Sequence, residues 1–352
     1  MLSELACQEI RDHLLRAQNP VFYYDNDADG LCSFLLFSRF LGRGKGVAVR
    51  SYPDLNASYA RKARELGADA VFILDKPLLD PAFIAALREL TIPIIWIDHH
   101  ENTNNGLIED EYFTIYNPLL GKPSSSEPVT YWAQRICNRS EDIWIAVMGC
   151  IADHYLPDFA SVFAKQHPEL WAQNIQKPFD AYYRTEIGNL ARALNFGLKD
   201  SATHVVALQK YLLMCSAPSV VLADVPENAS FRSLYERLST RYRLLFEKAI
   251  LCKKDALIFF SYGGATSMSS ELSNELAYRS PGCFVAVAYT NAGVTNISLR
   301  GNNVKALLER ILPSLTSAHG GGHQDAVGAR IKSSELDTFY TILREEVTHG
   351  RA

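Results

Sequence analysis

The sequence predicts an α/β protein, with a parallel sheet covered by helices followed by a smaller α/β domain with a mixed sheet. Three observations carry this. Short apolar runs alternate with helix-length amphipathic stretches through the first part of the chain, the pattern of βαβ units. Two of those runs, Val71-Phe72-Ile73-Leu74 and Ile94-Ile95-Trp96-Ile97, contain no polar position, as expected of strands covered on both faces. At 352 residues the chain exceeds what one core usually organises, so two domains are expected.

Taken in order, residues 3 to 17 read as an amphipathic helix with Leu5, Ile10, Leu14 and Leu15 facing inward, ended by Asn19-Pro20. Val21 to Tyr24 is a strand, and Gly30 is expected to let the chain turn sharply into a buried helix, Leu31 to Leu41. Strand Val47 to Tyr52, helix Ser58 to Leu66, strand Ala70 to Leu74 and helix Pro81 to Leu90 continue the alternation, with Pro81 at a favourable first-turn position. The Ile94 to Ile97 strand follows, then a further strand over Tyr112 to Tyr116. Gly121 to Ser126 reads as a solvated loop, and Glu127 to Cys137 and Asp142 to Ala152 as helices. Residues 155 to 250 are helical in pattern, broken at Pro178, Gly197 and Pro218. There Arg184, Arg192 and Lys199 read as a solvated face over aromatics such as Tyr182 and Tyr183, and Ser233 to Ala249 as a connecting helix. Beyond it come strand Ala256 to Tyr262, helix Ser270 to Arg279, an antiparallel pair Cys283 to Tyr289 and Val294 to Leu299, and helix Val304 to Leu312.

Composition narrows the function. With 48% hydrophobic and 21% charged residues this is a globular chain, and a net charge of −4 argues against a surface that wraps long nucleic acid by counterion release. A local basic groove or a short oligonucleotide remains compatible with that charge. Seven scattered cysteines without CxxC spacing read as buried free thiols of a reducing cytoplasm, not as a zinc site or a disulfide framework. The acidic, amphipathic N-terminal stretch does not read as a signal peptide, and no apolar run approaches the ~18 residues of a membrane span.

The candidate site is a set of polar residues at the ends of apolar segments. Asp98, His99 and His100 follow the Ile94 to Ile97 strand; Asp25, Asp27 and Asp29 follow Val21 to Tyr24; Asp75 follows Val71 to Leu74; and Asp153 follows the apolar stretch Ile143 to Ala152. Carboxyl ends of parallel strands are where open α/β sheets bind ligands. Aspartates and histidines gathered there suit a hard or borderline divalent metal, since only cations offset so many like charges. Asp29 is also placed to cap the helix that follows it. In the last domain Gly320-Gly321-Gly322-His323, with Arg300 at a strand end, reads as an anion site: glycines expose backbone N–H groups and Arg offers a forked contact to phosphate.

The runs DNDADG at 25–30, FILDKP around Asp75, DHH at 98–100 and GCIADH around Asp153 resemble the four motifs of the DHH phosphoesterases, in the expected order. GGGHQDAVGARI at 320–331 resembles the glycine-rich motif of the DHH-associated C-terminal domain. In organisation the chain is most similar to RecJ-type exonucleases and nanoRNases. The resemblance implies a catalytic DHH domain over 1–215, a helical linker over 216–250 and a substrate-binding domain over 251–352. It implies two Mn²⁺ ions, with Mg²⁺ or Co²⁺ as substitutes, held by Asp27, Asp29, Asp75, His99 and Asp153, with Asp75 shared. His100 would act on the phosphate as electrophile or proton donor, oriented by Asp98. Arg300, Gly320, Gly321, Gly322 and His323 would grip the nucleotide. Many members carry His four residues before the first Asp of the DxD pair, where this chain has Tyr23, a poor ligand while its phenol is protonated; Asp25 is the expected replacement. The implied activity is hydrolysis of short single-stranded DNA or RNA to 5′-monophosphates. The implied alternatives are a dinucleotide phosphodiesterase, a 3′,5′-bisphosphonucleotide phosphatase, or a catalytically weak replication or repair scaffold with protein partners. A homodimer is expected by analogy.

Overall fold

The computed structural model describes residues 1–50, 54–101 and 106–349. The end of the strand expected over Val47 to Tyr52, at Ser51 and Tyr52, lies outside the described residues. The chain divides into two compact units, Met1–Tyr235 and Glu236–Ala352.

The first unit opens with α1 (Glu4–Arg16), capped by the Ser3 side chain, which accepts from Ala6 N. Of the expected inner stripe only Ile10 and Leu14 are buried; Leu5 and Leu15 are exposed. Their spacing puts them off the single face that packs on the rest of the unit. Then follow β1 (Pro20–Asp25), α2 (Ala28–Leu41), β2 (Lys45–Val49), β3 (Asp54–Leu55), α3 (Ala60–Glu65), β4 (Ala70–Leu74), β5 (Leu78–Leu79), α4 (Pro81–Arg88), β6 (Ile94–Ile97) and β7 (Phe113–Tyr116). Five of these strands form one sheet in the order β2-β1-β4-β6-β7, every pair parallel. β3 and β5 pair separately.

Alternation along the strands builds two cores, one on each face. Phe22, Tyr24, Phe72, Leu74, Ile95 and Ile97 face one side, where they meet α2 and the later helices. Val21, Tyr23, Val71, Ile73, Ile94 and Trp96 face the other, against Ala60 and Ala63 of α3 and Phe83, Ile84 and Leu87 of α4. This two-sided burial is why β4 and β6 contain no polar residue. The remaining helices of the unit are α5 (Val129–Cys137), α6 (Ile143–Ala152), α7 (Ala160–Gln166), α8 (Pro178–Arg184), α9 (Glu186–Gly197) and α10 (Ala202–Met214). Arg192 is half-buried and lies over the rings of Tyr182 and Tyr183, 5.6 and 5.8 Å from their centroids. α6 is apolar on every side and fully wrapped, and Gly149 lets it approach closely, since a Cβ there would overlap Thr130 Oγ1.

The unit boundary falls inside α11 (Ala229–Ile250), a single continuous helix within the stretch expected as linker. The second unit contains β8 (Lys253–Lys254), β9 (Leu257–Gly263), α12 (Ser269–Arg279), β10 (Phe284–Asn291), β11 (Val294–Arg300), α13 (Val304–Ile311), β12 (His319–His323), β13 (Ala326–Lys332) and α14 (Leu336–His349). Its sheet runs β12-β13-β11-β10-β9-β8. Only the β9–β10 pair is parallel, so the sheet is mixed. One face packs on Val304, Leu308 and Ile311 of α13 and Phe339 and Leu343 of α14. The cysteines are all free; Cys32, Cys137, Cys150 and Cys215 are buried, whereas Cys7, Cys252 and Cys283 are half-buried, contrary to the expectation that all would be buried. No described helix is long and apolar enough to cross a membrane.

Candidate metal centre

The strand order makes β1, β4 and β6 neighbours, and because all three are parallel their C-terminal ends meet at one edge. Asp25 ends β1, Asp75 follows β4 and Asp98 follows β6. Asp27 is the N-cap of α2, its Oδ1 accepting from Gly30 N at 3.0 Å. Gly30 does not make the turn itself: it sits in the first helical turn, and a Cβ there would overlap Asp25 O. The glycine therefore permits close approach of helix to strand end. Asp29 does not cap its own helix as expected. Its carboxylate accepts from Val129 N at 2.9 Å and Thr130 N at 2.8 Å, the first N–H groups of α5, while Thr130 Oγ1 donates back to Asp29 O. Asp29 is thus the N-terminal cap of a helix about a hundred residues away, with the macrodipole adding to the two bonds. Asp29→Ala is expected to cost about 2 kcal/mol in the metal-free protein, a full cap's worth, read as a lowered urea midpoint at unchanged slope.

Asp75 leaves its strand in the left-handed region, φ 59°, which Asp tolerates better than most residues and which re-aims its side chain. Its Oδ1 lies 3.3 Å from His99 Nε2 and 3.8 Å from His100 Nδ1. His99 Nε2 is in turn 3.5 Å from Asp153 Oδ2 and 4.0 Å from Asp29 Oδ2. Asp75 Oδ1 and His99 Nε2 are both buried and hydrogen-bonded to nothing among the described residues. His99 Nδ1 faces the Ser126 carbonyl at 3.3 Å. A carbonyl only accepts, so the neutral ring carries its proton on Nδ1 and turns the Nε2 lone pair toward the aspartates, the arrangement of a metal-ligating histidine. His100 differs: its Nδ1 meets Asp98 Oδ1 at 2.8 Å and its backbone N donates to Asp98 Oδ2 at 2.9 Å. Donor atoms lie within 4.8 Å of one another in three groups, Asp75 with His99 and His100, Asp29 with His99 and Asp153, and Asp25 with Asp27 and Asp75. Taken together, these carboxylate oxygens with the imidazole nitrogens beside them fit a divalent ion of the Mn²⁺ or Mg²⁺ kind.

Without an ion the carboxylates work against one another. Burial, then Asp25 and Asp29, push the Asp27 carboxyl up to about 8. Burial raises Asp153 to about 7, with His99 opposing and Asp29 reinforcing. Asp75 is held well above the usual carboxylate range by burial and by Asp29, Asp27 and Asp25, and Asp29 is raised by burial against the pull of His99 and of its α5 bonds. His100 moves the other way in charge. Burial would lower it, but the Asp98 hydrogen bond and the surrounding aspartates raise it to about 9.

The sequence model of the DHH family, N-terminal domain, matches residues 21–156, the span that holds every residue of this cluster. The match is confined to that span and identifies it as similar to the N-terminal domain of the DHH family. Among solved structures, the chain is similar over 98% of its length to RecJ of Thermus thermophilus in complex with Mn²⁺, at 16% identity and a TM-score of 0.61. It spans 54% of that RecJ chain, about half its length. A DHH domain from a member of a family of ribosomal proteins aligns over 98% of this chain and 90% of its own, at 14% identity and a TM-score of 0.65. CDC45 of Entamoeba histolytica aligns over 97% and 98%, at 12% identity and a TM-score of 0.51. At these identities the likeness is one of fold. A comparison with curated proteins finds no match.

The sequence alone does not announce four participants. Lys76 is fully buried, and its Nζ donates to Asp25 Oδ1 at 2.8 Å. Its only signal is its place, directly after Asp75 at a strand end. Ser126, in a stretch that reads as a solvated loop, turns its carbonyl toward His99. Thr130 and Val129 hold Asp29 from a distant helix, which no local pattern announces. Tyr23 lies in the core of the other sheet face, edge-on to Phe83 at 5.4 Å, with its hydroxyl donating to Tyr59 O at 3.0 Å. Asp25, expected to stand in for the absent histidine, is engaged by Lys76.

The second unit places Gly320, Gly321, Gly322 and His323 in the exposed edge strand β12. Gly320 and Gly322 are needed for pairing with β13, where a Cβ on either would come within 2.6 Å of a backbone oxygen. A Cβ on Gly321 would meet nothing within 4 Å, which leaves that position open to a ligand. Arg300 is held at the end of β11 by Asn274 Oδ1 at 2.6 Å, the Leu299 and Val327 carbonyls and Ser270 Oγ at 3.2 Å.

Proposed function

We propose that the chain is a divalent-metal-dependent phosphodiesterase that removes nucleotides from short single-stranded DNA or RNA and releases 5′-monophosphates. The observation that carries this reading is the pair of buried, unbonded donor atoms, Asp75 Oδ1 and His99 Nε2, at a strand-end edge with Asp29 and Asp153 beside them. Orphaned buried polar atoms are costly, and a cation is what satisfies an imidazole lone pair and a carboxylate together. Asp27, Asp29, Asp75, His99 and Asp153 are the residues that would hold it, with Asp25 at the margin. When bound, a divalent ion of this kind supplies Lewis-acid charge at a phosphoryl oxygen and acidifies water.

The chain's own residues do the rest. Ser126 O fixes the tautomer of His99, and the Asp29 bonds to α5 hold one carboxylate rigid. His100, kept protonated by Asp98, offers a proton or a positive charge to a phosphate oxygen. In the second unit, Arg300 supplies a forked cation whose own hydrogen bonds preset its orientation, and the open backbone at Gly321 with the exposed His323 completes an anion-binding edge. Free thiols throughout suit a reducing cytoplasm.

The test is hydrolysis of end-labelled single strands, from dinucleotide to about thirty nucleotides, as DNA and as RNA, with Mn²⁺ and with chelator. A stepwise ladder that requires Mn²⁺ is the expected result. Cleavage confined to dinucleotides would shift the substrate to a dinucleotide diester, and tight binding without turnover would replace the enzyme by a scaffold. Arg300→Ala is expected to raise KM about tenfold or more with kcat little changed, as loss of binding common to ground and transition states does. An unchanged KM would remove Arg300 from the site.

A further inference from the structure

We infer that the buried ammonium of Lys76 takes the place of a second metal ion, so that this centre holds one divalent cation and not the two that the family resemblance implies. The inference rests on the metal reading above and specifies the occupancy of that same site.

The donor groups divide by what already faces them. Asp98 is matched by the His100 ring, and Asp29 by the N-terminus of α5. Asp27 accepts from the first turn of α2. Asp25 faces Lys76 Nζ at 2.8 Å, and that lysine is wholly withdrawn from solvent. An oxygen of Asp25 lies within 4.8 Å of oxygens of Asp27 and Asp75, so the ammonium stands beside the one group of three carboxylates that would define a second ion position. A buried monocation on one of those carboxylates already neutralises part of their charge and repels any dication brought to the others, strongly so where water is excluded.

The other position is different. Asp75 Oδ1 and His99 Nε2 have no hydrogen-bond partner among the described residues, and Asp153 and Asp29 offer oxygens at 3.5 and 4.0 Å from the same nitrogen. That is where a cation is missing, and it is one place. The departure from the family pattern at Tyr23 agrees: its hydroxyl is committed to Tyr59 O on the far side of the sheet, so the Asp25 side of the cluster lacks an imidazole as well.

The experiment is a Mn²⁺ titration of the metal-stripped full chain, followed by equilibrium dialysis with metal analysis and by electron paramagnetic resonance. The expected result is one equivalent bound tightly, with the hyperfine pattern of an isolated ion. Two equivalents with an exchange-coupled spectrum would overturn the inference while leaving the metal reading standing. No tight binding at all would overturn both. Lys76→Met, which keeps length and removes charge, is expected to raise affinity for a second ion about tenfold or more and to give the coupled spectrum, whereas Lys76→Arg keeps one ion. A Lys76→Met protein that folds, as judged by its circular dichroism, and still binds one isolated ion would also overturn the inference. If that variant does not fold, the wild-type stoichiometry decides alone.

Discussion

Asp75→Asn is expected to remove Mn²⁺-dependent hydrolysis, lowering kcat/KM by about 10²–10³-fold or more, while the protein folds as before. Asp75 belongs to two of the three donor groups, as His99 does, and lies beside both histidines of the DHH run, so it is the carboxylate that connects most of the site. Asparagine is the informative replacement. It keeps the shape, tolerates the left-handed backbone that Asp75 adopts, and removes the charge. Alanine at that φ would add backbone strain and mix a folding effect into the result. The metal-free variant should melt no lower than the parent, because the change removes a buried carboxylate that burial and three neighbouring aspartates make costly to ionise. Normal turnover of Asp75→Asn in saturating Mn²⁺ would end the assignment of this residue to the metal. A variant that binds Mn²⁺ normally yet has lost turnover would move Asp75 from ligand to another role.

The metal-free protein is expected to lose stability as pH rises from about 4 to 8, and Mn²⁺ to restore it at the upper end. The direction follows from the carboxyls. Asp27 and Asp153 titrate in the fold at about 8 and about 7, against roughly 4 in an unfolded chain. Between those values the folded state holds more protons than the unfolded, so the stability present below pH 4 is withdrawn as pH climbs through 7 and 8. Asp29 and Asp75, raised as well, act in the same direction. His100, raised to about 9, adds stability that is lost only above its unfolded value and so steepens the same slope. Asp153 keeps 34% of its side chain exposed and contributes least, since solvent screens it. A cation in the cluster replaces those protons. At about a hundredfold excess over its dissociation constant it should raise the melting temperature by ~5–10 °C at pH 8, and by much less at pH 5, where protons compete. Thermal melts in chelator and in Mn²⁺ across this range read both effects. A flat metal-free profile, or a metal effect independent of pH, would contradict the raised carboxyls of the cluster.

Much of the fold and of the site is legible in the residues alone. Runs such as Val71 to Leu74 and Ile94 to Ile97 fit doubly covered strands, because an alternating polar face is absent. The carboxylates at their ends stand out because a strand end buried between helices is a poor place for charge. Parallel order follows from the helices between, and it brings Asp25, Asp75 and Asp98 to one edge through β1, β4 and β6. Where the reading fails, the cause is local pattern meeting non-local packing. Leu5 and Leu15 are apolar at helical spacing yet exposed, since α1 buries one narrow face. Gly30 suggests a turn by its type, whereas its place is set by a strand backbone pressed against it. The glycines at 320–322 read as an anion site, and nothing in them favours a strand; pairing with β13 makes them one.

The class of fold, the alternation of its elements and the identity of the charged groups gathered at the sheet edge are written in the linear chain, because periodicity and strand-end chemistry are properties of neighbouring residues. Which of those groups find a partner within the fold is decided by packing. Asp29 is answered by α5 across about a hundred residues, Asp98 by His100, and Asp25 by a lysine that burial forces into contact with it. What is left is Asp75 facing His99, and that remainder is set by burial and by distance, which no linear pattern encodes.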